Sequence, residues 1–148
     1  MNFDNSKIKE LVETLIGAVS GFSQSADAIK NDNCKEHLKR FTQDRQKMIE
    51  RLSALGELDI SDLNPRFPGT IHRGWITLKG VLNTGDDRTI LEECEMGEKY
   101  AIRIFTEAAN SNELTPDIKI IVSSFAVHIQ SVYNELKLLR DSLELHLV

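Results

Sequence analysis

Polar and apolar positions alternate with a helical period along most of this chain. From Ser6 to Ile29, the residues Ile8, Leu11, Leu15, Ala18, Phe22, Ala26 and Ile29 recur every three or four positions, which places them on one helix face. Val12 and Val19 widen that stripe, and Asp4, Asn5 and Ser6 offer N-cap oxygens. A second stripe, Cys34, Leu38, Phe41, Met48, Leu52 and Leu55, predicts a helix capped by Asn33, with Glu36 completing a capping box, and stopped by Gly56. The short break at Asn31–Asn33 makes these two helices antiparallel neighbours. A third long helix is predicted over Asp86–Ala109, capped by Asp86 or Asp87, with Leu91, Cys94, Ala101, Phe105 and Ala108 sharing a face. Thr115-Pro116 opens the last helix as N-cap and first helical residue. Its stripe, Ile118, Val122, Phe125, Ile129, Val132, Leu136, Leu139 and Leu143, alternates steps of four and three without a fault. So sustained a seam is the pattern of near-parallel packing at about +20°. No stretch alternates apolar and polar residues long enough for a strand.

The connection between the second and third helices is too long for a hairpin. It opens with an irregular stretch broken by Asn64-Pro65 and Phe67-Pro68-Gly69. Ile71, Trp75, Leu78 and Leu82 then share one face of a short amphipathic helix, a crossover strapped along a bundle with Trp75 as its apolar anchor. A faint repeat accompanies this. Leu11, Glu13, Gly17 and Ala28 meet Leu91, Glu93, Gly97 and Ala108, and Phe41, Gln46, Leu52 and Leu55 meet Phe125, Gln130, Leu136 and Leu139. Two helical hairpins joined by a long crossover are the ferritin-like arrangement. The predicted fold is all-α: an antiparallel ferritin-like four-helix bundle, with a short extra crossover helix between long helices two and three, in one domain spanning residues 1–148.

Two positions break the stripes. Glu98 stands on the apolar face of helix three, and Arg45 fills the missing step on helix two. A carboxylate in an apolar seam needs a partner, a metal or a proton. A di-metal carboxylate site takes a Glu from each of two helices and Glu-x-x-His from each of the others, and the chain contains no Glu-x-x-His. Glu13 and Glu50 fall off their stripes, and His128 lies at the seam's edge. Three readings of Glu98 follow: a buried bidentate pair with Arg45, a pared-down metal site with His128, or a side chain reaching for solvent.

Composition narrows the function classes. The formal charge of −5 lacks the basic face of a nucleic-acid binder. No apolar run approaches the roughly 20 residues of a membrane span, and the opening MNFDNSKIKEL has no signal-peptide pattern, so a cytoplasmic protein is expected. The two cysteines, Cys34 and Cys94, have no metal-ligand spacing and read as free core thiols. Nucleotide-binding and nucleophile motifs are missing too.

The stretches HRGWITLKGVL (His72–Leu82), GDDRTILEECEMGE (Gly85–Glu98) and NELKLLRDS (Asn134–Ser142) resemble the signature of a bacterial family of small ferritin-like four-helix proteins, catalogued mainly as a domain of unknown function. The resemblance implies a ferritin-like bundle and no established activity. The chain departs from the family where an acidic residue and a glycine tend to stand mid-helix one, here Gly17-Ala18, and where a histidine tends to stand at Tyr133. Both departures remove potential ligands. The expected protein is non-catalytic, without a cofactor, and acts through self-association or another protein, with the surplus apolar positions Val12 and Val19 supporting a homodimer. The alternative is a metal-binding or iron-handling protein with a reduced ligand set.

Overall fold

A computed structural model describes residues 5–63 and 86–145. Within them lie four long helices: α1 (Ser6–Ala28), α2 (Asp32–Leu55), α3 (Asp87–Asn110) and α4 (Pro116–Leu145), with a single 3₁₀ turn at Ile60–Asp62. There is no strand among the described residues. The predicted crossover helix, with His72 and Trp75, falls outside them.

The helices form a four-helix bundle. The most extensive contacts are within two hairpins, α1–α2 and α3–α4, which are joined by smaller contacts of α1 with α3 and of α2 with α4. Around the bundle the order is therefore α1, α2, α4, α3, leaving α2 and α3 on a diagonal. Asp87 at the start of α3 accepts hydrogen bonds from the backbone N–H groups of Lys30 and Asn31, both at 2.9 Å, just past the end of α1. That contact sets the directions. α1 and α3 are antiparallel, α2 and α3 start at the same end, and the chain joining them links opposite ends of the bundle.

The helix ends show which local signals won. Asn31, not Asn33, caps α2: its backbone is extended (φ −70°, ψ 120°) and its Oδ1 accepts from the Cys34 N–H at 3.0 Å. Asp86 caps α3, accepting from the Arg88 N–H at 2.9 Å, which frees Asp87 for the α1–α2 turn. Asn5 precedes α1 without a side-chain cap bond. Its amide instead donates to the Gly56 carbonyl at 2.6 Å. The α2 terminus is a Schellman arrangement, with the Leu58 N–H on the Ser53 carbonyl (2.9 Å) and the Glu57 N–H on that of Ala54 (3.2 Å). Gly56 keeps right-handed backbone, and the left-handed position falls on Glu57 (φ 52°). Gly56 is needed for closeness rather than for its φ, because a Cβ there would meet Ile8 Cγ2 at 2.9 Å.

The core comes in two blocks. One contains Ile8, Leu11 and Leu15 of α1, Met48 and Leu52 of α2, Phe105 of α3, and Ile118, Val122 and Ile129 of α4. The other contains Phe22, Ala26 and Ile29, then Leu38 and Phe41, then Ile90, Leu91 and Cys94, then Val132, Leu136 and Leu139. Burying each such large aliphatic side chain is worth about 1.5–3 kcal/mol. On α2, Arg45 falls between Phe41 and Met48. On α3, Glu98 falls between Cys94 and Ala101. The two blocks meet at one polar layer.

Candidate functional site

Arg45 and Glu98 face each other in that layer from the diagonal helices. Arg45 Nη1 donates to Glu98 Oε1 at 2.8 Å, and Nη2 donates to Oε2. The arrangement is bidentate, the geometry that gives guanidinium–carboxylate pairs their directionality. Arg45 is 0 % exposed and Glu98 1 %. The Phe22 ring of α1 lies 5.4 Å from the guanidinium carbon, a further stabilising contact for a desolvated cation. Arg45 Nε finds no hydrogen-bond acceptor among the described residues. One turn before Glu98, Cys94 Sγ donates to Ser25 Oγ at 3.4 Å. Burial pushes the Cys94 thiol up to about 12, and the neighbouring carboxylate of Glu98 adds to this, with only the Ser25 bond opposing. Cys34 is buried as well, and its thiol is raised by burial and by Asp87. Neither sulfur is poised as a nucleophile, because the thiolate is the reactive form.

His128 makes a different contact. It is on α4, with Nε2 3.8 Å from Asp44 Oδ2 of α2 and the imidazole partly exposed. Both Glu98 oxygens are engaged by Arg45, and the carboxylate beside His128 is that of Asp44. No group of three His, Cys, Asp or Glu side chains capable of holding a metal ion gathers among the described residues.

The α3–α4 face carries a cluster that the stripe reading missed. Glu95 is buried and has Arg140 Nε 3.4 Å from its Oε2. Burial raises the Glu95 carboxyl, and the Arg140 guanidinium pulls it partly back. Lys99 and Lys137 lie 5.9 and 5.5 Å from the centroid of the Tyr133 ring. Glu95 is a heptad-flank residue, one step before Met96, and Arg140 approaches it from the neighbouring helix.

The outer face of α4 was missed too. Ile120, Val127 and Leu138 are 72, 71 and 68 % exposed. They stand opposite the core stripe, with Ser123, Ser124, Gln130, Ser131 and Asn134 around them, all exposed. From Ile120 to Asn134 the helix has no Asp, Glu, Lys or Arg. The polar members spend their hydrogen bonds along the helix itself. Ser124 and Ser131 donate to the carbonyls of Ile121 and His128, both at 2.7 Å, and Gln130 donates to Asn134 at 3.2 Å. The exposed face of α2, by contrast, carries Glu36, Lys39, Arg40, Lys47, Glu50 and Arg51. Val12, expected as surplus apolar surface, is 0 % exposed and part of the core, and Val19 is partly buried against it. The first helix buries a wider arc than one stripe because both α2 and α3 pack on it.

A family model matches residues 5–111, from α1 through α3. The chain belongs to the family described as "Domain of unknown function (DUF2383)". The span matched to DUF2383 contains Arg45, Glu95 and Glu98, and α4 follows it. No curated protein and no solved structure matches the chain. None of the helices among the described residues is long and apolar enough to cross a membrane.

Proposed function

We propose that this DUF2383 protein is a non-catalytic, single-domain helical bundle of the ferritin-like type that acts by association through the outer face of α4, most simply with a second copy of itself. The exposed side chains of Ile120, Val127 and Leu138 carry this reading, the first two within a stretch, Ile120–Asn134, that has no Asp, Glu, Lys or Arg. Exposed apolar side chains separated only by small or uncharged polar ones favour a contact surface more than the same side chains set among charges. The central layer supports the same reading from the other side. The Arg45 guanidinium takes both oxygens of the carboxylate that a metal would need, and Glu98 is tied into the fold.

The test is whether the α4 face is covered in cells. Val127→Cys and Gln43→Cys, the second on the exposed face of α2, are compared for their alkylation rate by N-ethylmaleimide in intact cells and after denaturation. The native thiols are buried and contribute little. Association predicts that the Val127→Cys thiol reacts several-fold more slowly in cells and at the same rate once unfolded. Equal rates in cells would remove the reading.

A further inference from the structure

α1 is covered on more sides than its neighbours in the bundle explain. From Glu10 to Phe22 none of its residues is exposed. α2, at another corner of the same bundle, exposes Lys39, Gln43, Gln46 and Glu50 over a similar length. The main partners of α1 among the described helices are α2 and α3, and they account for the face of Leu11, Leu15 and Phe22 and for its flanks. They do not account for Gly17. It is buried, yet at 3.6 residues per turn it stands about 160° round the helix from Leu15. Thr14, 4 % exposed, and the buried Gly21 continue the same line. The line ends at Ser25, the residue that meets Cys94 of α3. The covered surface therefore follows the outer groove between α1 and α3.

The chain itself supplies the occupant. The end of α2 lies at the start of α1, where the Asn5 amide donates to the Gly56 carbonyl. Asp87 lies at the other end of α1, on the backbone of Lys30 and Asn31. Residues 64–85, which are outside the described residues, therefore travel the length of α1, about 35 Å for its 23 residues. Fully extended, a segment of that size would reach about 70 Å. Half of that suffices, which leaves length for a helix over 71–82 that runs in the direction of α1. Charge agrees. From Asn64 to Gly85 there is no Asp or Glu, while Arg66, Arg73 and Lys79 are present. The groove offers Glu10 and Glu13 of α1 and the half-buried Glu93 of α3, which lies on the flank of Cys94 opposite Glu95. Lys7, at the same edge, is held by Glu10 and Glu113 at 3.7 and 3.8 Å.

We propose that the stripe Ile71, Trp75, Leu78 and Leu82 packs into this outer α1–α3 groove, with Trp75 over the shallow stretch left by Thr14, Gly17 and Gly21. Small residues there let a bulky apolar face approach the α1 backbone closely. The inference goes beyond the association reading and does not depend on it, because it closes the α1 side of the bundle with the chain's own connection.

The experiment uses the full chain, whose only tryptophan is Trp75. Ser20→Cys, Gln43→Cys and Gln130→Cys place thiols near one level on three sides of the bundle, since Phe22 packs on Phe41 and His128 lies beside Asp44. The native thiols are buried. Each variant is labelled with a nitroxide, a short-range quencher of indole, and Trp75 emission is compared before and after the nitroxide is reduced. The expected result is several-fold quenching in Ser20→Cys and little in the other two. Stronger quenching in Gln43→Cys or Gln130→Cys, or none in any of the three, overturns the placement. Gly17→Leu is the second arm. On an open helix face it would raise the thermal midpoint, because glycine is a poor helix former. Beneath a packed segment it lowers the midpoint and shifts Trp75 emission to the red, with the helical circular dichroism retained at low temperature. A raised midpoint with unchanged emission overturns the proposal.

Discussion

Replacing Glu98 by Ala should be the most damaging single truncation of a charged side chain in this bundle. The substitution removes both acceptors of a guanidinium that is 0 % exposed. Arg45 Nε already lacks an acceptor among the described residues, so all three nitrogens would be left buried without one. The cost has two parts, the lost charge-assisted bonds and the stranded cation, and the second is the larger because water cannot reach it without opening the polar layer. Removing one partner of a buried pair typically costs about 3–5 kcal/mol. For a chain of this length that is a fall in thermal midpoint of about 10–15 °C. Urea unfolding followed by helical circular dichroism measures it directly.

The same logic predicts strong non-additivity. Arg45→Met with Glu98→Leu removes both charges and fills the layer with apolar volume. Such replacements are neutral or stabilising in comparable cases, so the double variant should lie within about 1 kcal/mol of the wild type or above it. Each single variant should lie far below. A Glu98→Ala loss under about 1 kcal/mol, or a double variant whose loss equals the sum of the singles, would refute the account of a dry, mutually dependent pair.

Four further outcomes are expected. Cys94, with its thiol pushed up to about 12 by burial, should resist iodoacetamide at pH 8 in the folded protein and react once urea unfolds it; reaction at the rate of an exposed thiol would contradict its placement. The Glu95 carboxyl is raised on folding, mainly by burial, so the folded state binds its proton more tightly, and this contribution to stability is full below the unfolded pKa and lost as pH climbs through the folded one. Glu95→Gln should therefore gain on the wild type as pH rises from about 4, as read by urea midpoints; a gain toward acid would show that the Arg140 contact outweighs burial. Glu57 sits in the left-handed region (φ 52°), and Glu57→Gly should stabilise the α2 terminus by about 1 kcal/mol in chemical denaturation. Asp87→Ala deletes two hydrogen bonds to the α1–α2 turn and should cost about 1–3 kcal/mol, with faster amide exchange at Lys30 and Asn31 as its local signature.

The helices were legible because their stripes are long and because α4 in particular never breaks step. The residues of the polar layer were legible for the complementary reason. Each of two regular patterns fails once, and the failures have opposite charge. What the sequence hid depends on contacts between distant elements. Asn31, Asp32 and Asn33 are all competent caps, and the choice of Asn31 goes with Asp87 gripping the backbone there from another helix. Glu95 looks like a surface residue until Arg140 is placed beside it. The outer strip of α4 is periodic too, but it runs behind a stronger core stripe on the same helix and is easily read as solvent face. Val12 shows the reverse error. It lies beside the main stripe of α1 and looked spare, yet a helix packed by two neighbours needs a broader apolar arc than a two-helix seam.

The placement of the polar layer has a consequence beyond its energy. Each hairpin packs extensively within itself, while the hairpins meet through the smaller α1–α3 and α2–α4 contacts. Regular apolar stripes tolerate a slip of one heptad between hairpins, because each large aliphatic residue finds another in the shifted position. The ion pair does not tolerate it. Displaced by two turns, Arg45 would face apolar side chains from the other hairpin and Glu98 would lose the Arg45 guanidinium, leaving two buried charges unpaired instead of paired. Buried polar groups in helical assemblies are best attested in this role of fixing register. Arg45 joins α2 of one hairpin to α3 of the other. The pair therefore ties the register of one hairpin to that of the other, a role that an apolar replacement of similar stability would not fill.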